Sequence, residues 1–512
     1  MNKFMSFLLR IRIKEWMYKA AIFSVAACAI YYFIVFVFIT LSRIHYPFSL
    51  DWVEGESLIQ VWRILKGENL YAQPSYEYVA LTYPPLYFYF SAVFAHVLGS
   101  GFFPLRLVSL ISSLGCMALI YIICRREFIG IIPALTASGL FAATYQLSGY
   151  WFDIGRIDML ATILVLLSIF LIRLRTPIYY VIAGIMLSLA CLTKQTNVLT
   201  LILLCAYFLL FDRRNSPGFL ISSIASFSIA SLLLNRIYSG WYAFFVFTSP
   251  VGSQGSPSIT PSMIIQAIPD FWLNSILFLV PIATFFVLAY VWVNLRHLQN
   301  QNTFYFYIFC ATGMIGTSWA SLVHLGGYKN DLIPAFAVIA ILFGLGLQRM
   351  LHEEQNRLHN SLWLGVCILQ FIALYFPVAP QIPTLQDLSA GQSLIAEIRE
   401  QPGDVYVPFH PELPLMAGKP TFASWNAMYQ LGGGYGGGDL KEAQRVKTEF
   451  ANAMARHEFA MIILDRDTNW VWGYPEKYYY MSTEAVFHDP DVFWPVVGWQ
   501  NRPTFKMLPN RP

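Results

Sequence analysis

Charge is what this chain has least of. Asp, Glu, Lys and Arg make up 12% of its 512 residues, against 57% hydrophobic ones, roughly half the charged share of an ordinary soluble domain. That balance excludes a soluble globular class. A net charge of only +4, with dispersed basic residues, also argues against a nucleic-acid partner. Cysteine supplies no framework. The seven residues (Cys28, Cys116, Cys124, Cys191, Cys205, Cys310, Cys367) lie in or beside apolar runs and none follows Cys367, so the C-terminal region has no disulfide scaffold and no CxxC metal spacing occurs. Internal repeats, the mark of transporters built from two related halves, are missing too. The Gly-rich stretch Leu431 to Gly438 lacks GxxxxGK[ST] and GxGxxG, which argues against nucleotide binding there.

What the chain does have is long apolar runs. Eleven segments approach the ~20 residues that cross a bilayer: about 18–42, 105–124, 129–147, 158–172, 177–193, 196–211, 217–237, 271–294, 303–321, 332–348 and 361–378. Basic residues before the first run (Lys3, Arg10, Arg12, Lys14, Lys19) imitate a signal peptide. The run from Tyr18 to Leu41 is too long for one and lacks a small-x-small site, so it reads as a retained span. A twelfth run, about 84–99, is decided by loop charges. Arg125/Arg126, Arg173/Arg175, Arg213/Arg214, Arg296/His297 and Arg349/Arg357 share the cytoplasmic side with the N-terminus only if that run does not cross. Pro84 to Gly99 is then a juxtamembrane or partly inserted helix on the outer side.

The expected fold is an α-helical polytopic membrane protein with about eleven transmembrane helices and added juxtamembrane helices. Residues 1–380 form the membrane domain, and residues 381–512 a small extracytoplasmic α/β domain. In the latter, 404–407 and 459–464 read as strands and 392–400 and 441–457 as helices. The loop 238–270, with its Ser-Pro-Gly stretch, reads as flexible and as a lid.

Unusual polar residues collect on the outer side. Asp51-Trp-Val-Glu54-Gly-Glu56 opens an amphipathic stretch in which Leu58, Val61, Trp62 and Leu65 repeat at helical spacing. Asp51 as cap with Glu54 closing a capping box explains two of the carboxylates. A part-desolvated carboxylate near other acids also suits a general base; the two readings stay even. Thr82-Tyr83-Pro84-Pro85 fits a helix start at the lipid interface, and would also fix the acidic loop over the membrane edge. Asp153, Arg156 and Asp158 fall in the second outer loop, where Arg156 and Asp158 can pair locally. Lys194 lies between two spans with almost no loop, and His324 to Asp331 is similar. These lysines either snorkel, or Lys194, Tyr328 and Lys329 hold an anion.

Taken together, Asp51 after the first span, Tyr83-Pro84-Pro85-Leu86, the Arg125-Arg126 turn, Arg156-Ile-Asp158, Leu192-Thr-Lys194 and Tyr328 before Pro334 resemble a known family. It is the polyprenyl-phosphate-dependent glycosyltransferases of the GT-C fold, in particular the bacterial family-39-like branch that includes lipid A aminoarabinose transferase and protein O-mannosyltransferases. The resemblance covers about residues 1–380. It implies a multi-pass protein of the bacterial cytoplasmic (inner) membrane with its active site on the periplasmic face. It further implies Asp51 as catalytic base, Asp153 or Asp158 in support, and Lys194, Tyr328 and Lys329 at the donor phosphate. Glu54, Glu56, Tyr83, Arg156 and His324 join as substrate-binding candidates.

Two departures stand out. The first loop reads Asp-x-x-Glu-Gly-Glu in place of the Asp-Glu pair of protein mannosyltransferases, and the C-terminal domain does not resemble the β-trefoil of the eukaryotic enzymes. The implied partners are a polyprenyl-phosphate-linked sugar donor, a glycan, lipid or protein acceptor, and membrane lipid. No cofactor is required. Three carboxylates within six residues would attract a divalent cation, yet a loop this short supplies too few oxygens for a hard one. Competing classes are a transporter or lipid flippase, and a non-catalytic assembly factor. Charges gathered at one face, away from midplane positions, argue against transport.

Overall fold

The computed structural model describes residues 2–253, 256–257, 261–277, 280–296, 301–323, 326–353, 356–432 and 440–510. Each expected span overlaps helix, although 271–294 is divided between Pro269–Leu277 and Pro281–Arg296. In chain order α1 is Asn2–Arg43, α2 Glu54–Leu65, α3 Leu86–Leu98, α4 Phe102–Arg126, α5 Ile131–Ala143, α6 Asp158–Arg173, α7 Pro177–Cys191, α8 Val198–Phe211 and α9 Ser216–Ile237. Helices Pro281–Arg296, Gln301–Val323, Ile333–Glu353 and Arg357–Ala373 complete the bundle.

Among the described residues, five helices are long and apolar enough to cross a membrane, or six if the bent pair Pro261–Leu277 and Pro281–Leu295 counts as one. Several remaining expected spans are shorter, from 13 residues in α5 to 17 in Arg357–Ala373. At 1.5 Å per residue they measure about 20–26 Å, less than a ~30 Å hydrocarbon core. Their ends turn into the loops that carry the polar residues.

The lipid-facing surface is written in the periodicity of α1. Val25, Ala29, Tyr32, Phe36 and Ile39 are buried, while Phe23, Ile34, Phe38 and Leu41 on the other face are exposed; spacing by three and four puts each set on one stripe. With no hydrophobic drive between helices inside lipid, close packing must hold them. Small residues permit it: a Cβ on Gly139 would overlap Ala29, and one on Gly344 would press on Ala137. Residues 330–347 are all buried, so the helix that follows the Tyr328–Asp331 turn runs through the bundle's centre.

The C-terminal domain carries a four-stranded sheet in the order Asp404–Tyr406, Phe459–Leu464, Phe505–Pro509, Tyr479–Met481. The first pair is parallel and the other two antiparallel. Helices Leu385–Glu400 and Lys441–Ala455 accompany it, as the alternation of apolar residues suggests. The loop between α1 and α2 is embedded against this sheet and its helices. Phe48 packs with Leu394, Ile398 and Val405, and Trp52 and Val53 pack with Phe409 and Trp425.

Two expectations need correction or restriction. The expected flexible loop 238–270 is helical over Trp241–Ala243, Phe244–Thr248 and Ser249–Val251, because Tyr242 and Phe245 are buried against Tyr71; positions 254–255 and 258–260 of its Ser-Pro-Gly stretch lie outside the described residues. Of the Gly-rich stretch, positions 433–439 lie outside the described residues.

Candidate active site

The three first-loop carboxylates serve three different partners. α2 starts at Glu54 with Val53 as N-cap and no side-chain cap, so the expected capping box is not formed. Asp51 instead accepts the Val53 N–H at 3.0 Å through Oδ1, and its buried Oδ2 has no hydrogen-bond partner. Burial pushes its pKa up to about 7; the Val53 N–H and Arg156 oppose the rise, while Glu54 and Glu56 add to it.

Glu54 is saturated. It meets Arg106 at 2.8 Å and accepts the Gly155 N–H at 2.6 Å and the Leu50 N–H at 2.8 Å. Arg106 also donates to the carbonyls of Tyr46 at 2.6 Å and Phe48 at 2.7 Å. This pair ties the first loop, the second loop and α4 together. Glu56 accepts Asn426 Nδ2 at 2.6 Å, and burial pushes it up to about 7.

The loop between α5 and α6 divides in the same way. Asp153 forms a two-pronged buried pair with Arg43, at 2.8 and 2.6 Å, and accepts Tyr145 Oη at 2.5 Å; it faces the end of α1. Asp158 pairs with Lys194 Nζ at 2.8 Å and accepts Asn330 Nδ2 at 3.0 Å, so the expected local pairing with Arg156 is replaced. Lys194 also meets Asp331 at 2.6 Å. Burial alone would lower the Lys194 pKa, but the two carboxylates hold it above the usual lysine value.

With Lys194 neutralised twice over, Arg156 is, of these two cations, the one with unused donors. Its Nη2 donates to Tyr83 Oη at 3.2 Å, and its guanidinium lies 5.2 Å from the ring centres of both Tyr83 and Trp151. Its Nε and Nη1 are buried without partners.

A cavity of about 790 Å³ gathers these groups. Asp51, Tyr83, Arg156, Lys194 and Tyr328 line it, together with Asp331, Asn330 and Gln195. Tyr328 sits against Trp151, ring centres 5.7 Å apart, with its backbone N–H on Asp331 at 3.1 Å. Asp153, Glu54, Glu56 and Asp158 are not in the lining, and neither is Lys329, which is exposed. His324 lies outside the described residues. Among the described residues no group of three His, Cys, Asp or Glu side chains is placed to hold a metal ion.

Residues 82–238 match the family model described as dolichyl-phosphate-mannose-protein mannosyltransferase. That segment contains Tyr83, Arg156, Asp158 and Lys194. No curated protein matches this chain. Among solved structures the chain is similar to ArnT from Cupriavidus metallidurans in the apo state, with 14% identity and a TM-score of 0.56 over 86% of this chain and 93% of that one. The same enzyme bound to undecaprenyl phosphate aligns with 13% identity and a TM-score of 0.56, covering 93% and 97%. The apo oligosaccharyltransferase of Archaeoglobus fulgidus aligns with 12% identity and a TM-score of 0.50, covering 85% and 69%. The chain has the GT-C fold.

The chain is therefore a multi-pass membrane protein with the GT-C fold and a segment that matches a mannosyltransferase family model. On this GT-C frame the sequence reading left several lining residues unnoticed. Asp331 entered only as the end of the His324 segment and, with Lys194 and Asp158, as part of the substrate path a transporter would need, though its spacing from Tyr328 is that of a capping box. Trp425, Asn426, Tyr429, Gln430, Gly498 and Trp499 reach the cavity from the C-terminal domain; no local pattern marks them, because their role arises from docking onto the first loop.

Proposed function

We propose that the protein is an inverting glycosyltransferase that moves a sugar from a polyprenyl monophosphate to an acceptor hydroxyl or amine at the extracytoplasmic face of the bacterial cytoplasmic membrane. One observation carries the reading: an unpartnered carboxylate oxygen of Asp51 and unpartnered N–H donors of Arg156 belong to the same cavity wall. Buried polar groups are normally satisfied, so an unpaired base and an unpaired anion binder in one cavity mark a place left for substrate.

In this mechanism Asp51 takes the proton of the acceptor as the freed lone pair attacks the anomeric carbon. The bond from that carbon to the phosphate oxygen breaks, and polyprenyl phosphate leaves with the electron pair. A base with a pKa near the working pH contributes roughly 10²–10⁴ in rate. Arg156, with Lys194 and Tyr328 behind it, stabilises the growing phosphate charge, about 3–4 kcal/mol per well-placed donor. The ArnT structure bound to undecaprenyl phosphate supports a lipid-linked donor by analogy of fold. Asp158 and Asp331 hold Lys194 in position; Glu54 and Asp153 hold the loops.

The test uses protein purified in nanodiscs. Mass spectrometry of co-purified lipid is expected to find polyprenyl monophosphate, or its glycosylated form, with wild type and Asp51→Asn, and to find it depleted with Arg156→Gln. Polyprenyl phosphate absent from wild type and not taken up on addition would refute the donor assignment. Impermeant labelling of cysteines placed at Glu68 and Lys329 on intact spheroplasts checks the face; protection of either would refute it.

A further inference from the structure

The cavity is asymmetric in chemistry. Its charged lining residues, Asp51, Arg156, Lys194 and Asp331, come from the membrane domain, whereas the wall from the C-terminal domain carries aromatic rings, amides and no formal charge. That wall is the helix Trp425–Leu431 and the segment at Gly498 and Trp499. An uncharged wall does not suit a phosphate. Flat rings with amide donors and acceptors beside them suit a neutral, hydroxylated ring, whose C–H face lies on an aromatic and whose hydroxyls meet the amides.

The wall is held ready by the membrane half. Glu56 accepts from Asn426 at 2.6 Å, and Thr82 Oγ1 donates to Gln430 Oε1 at 2.9 Å, which fixes how both amides face. Trp425 is stacked between Phe409 at 5.4 Å and Tyr429 at 4.9 Å. Trp499 is different: it keeps 44% of its surface exposed while lining the cavity. Its neighbour Gly498, at a φ of +78°, lies so close to Asp51 that a Cβ would overlap Oδ2. Val497 N–H pins this segment to the Leu50 carbonyl at 3.0 Å. A ring resting on Trp499 therefore lies one residue from the contact with the base. A volume of 790 Å³ lies high in the usual ligand range of about 300–1,000 Å³, room for a donor sugar and a second ring.

We infer that Asn426, Tyr429 and Trp499, backed by Trp425, form an acceptor subsite for a saccharide ring, so that the hydroxyl or amine brought to Asp51 belongs to a carbohydrate. The inference rests on the reading of Asp51 as base, but its test does not need transfer. Binding is measured by saturation-transfer difference NMR on the full chain in phosphatidylcholine nanodiscs, free of sugar-headed detergent. The probes are soluble disaccharides of glucose, mannose and N-acetylglucosamine, the corresponding glycolipids placed in the nanodisc, and a Ser/Thr-containing peptide.

A saccharide is expected to bind in the millimolar range or tighter, with affinity falling at least about tenfold in Trp499→Ala and in Asn426→Ala, the scale of one lost contact. Retention of polyprenyl phosphate by both variants shows that they are folded. Binding of the soluble disaccharide assigns a free glycan, and binding only of the glycolipid a lipid headgroup. No saccharide binding, binding of the peptide alone, or undiminished binding by Trp499→Ala would overturn the inference. Saccharide binding without any transfer activity would instead count against the proposed reaction.

Discussion

Two sets of buried charge stand side by side around the loops that follow α1 and α5 and differ in one respect. In the frame set, Glu54 with Arg106 and Asp153 with Arg43, each carboxylate is met by a bidentate guanidinium and by further donors. In the cavity set, Asp51 and Arg156 keep polar atoms with no partner. Asp51 and Glu54 are three residues apart in sequence, so residue type and neighbourhood do not separate them. Saturation does. A satisfied buried pair stabilises an arrangement of loops, while an unsatisfied buried group retains its capacity to bind or to take a proton.

The largest effect that would break this division is on turnover. Asp51→Asn is expected to lower kcat by about 10²–10⁴ without loss of fold. Its folded pKa is about 7 against an ordinary 3.8, so the ionised carboxylate costs the folded state increasingly as pH rises between those values. The variant should melt above wild type at about pH 8 and together with it below about pH 4. Scanning calorimetry beside a transfer assay reads both, and near-normal turnover would place Asp51 with the frame.

Glu54→Gln should behave in the opposite sense. It strands Arg106 and should cost about 3–5 kcal/mol of stability, seen as a lower melting temperature and yield, with specific activity of the folded fraction near wild type. A normal melt with lost turnover would reverse the division at this residue.

The two cations sharpen the comparison further. Arg156→Gln should weaken polyprenyl-phosphate binding by about 10–100-fold, the worth of a charge-assisted hydrogen bond, and leave the melt nearly unchanged. Lys194→Met leaves Asp158 and Asp331 facing each other and should lower the melt first. Titrations with polyprenyl phosphate followed by tryptophan fluorescence distinguish them; equal loss of affinity with unchanged melts would return Lys194 to the phosphate.

The smallest effect is the pH profile. With Asp51 as base, kcat/KM falls on the acid side through about 7 as the carboxylate gains its proton. Glu56 has a pKa pushed to a similar value, so Glu56→Gln serves as the control. It should keep the acid limb, and loss of the limb in that variant would transfer the titration to Glu56.

Much of this molecule could be read in advance from its residues. The apolar runs and Arg-rich turns located the helices, since hydrocarbon thickness and backbone hydrogen bonding leave a chain few alternatives. Asp404–Tyr406 and Phe459–Leu464 were legible from apolar alternation. Asp51, Tyr83, Arg156, Lys194 and Tyr328 were picked as site residues and do meet in one cavity. Asp153 and Glu54 were picked for the same reasons and do not, because their cations, Arg43 at the end of α1 and Arg106 near the start of α4, are distant in sequence and carry no mark of the pairing.

The amino-acid order alone determined a helical membrane chain and the short segments that carry its polar residues, because hydrophobic length and charge placement act locally along the chain. Only the tertiary structure decided which acids are spent on arginines and which stay free. It also decided that Trp425, Asn426 and Trp499, some 370 to 450 residues beyond Asp51, close the same cavity. Those outcomes depend on how a folded domain docks onto a loop, and contacts between segments so far apart leave no periodicity to read.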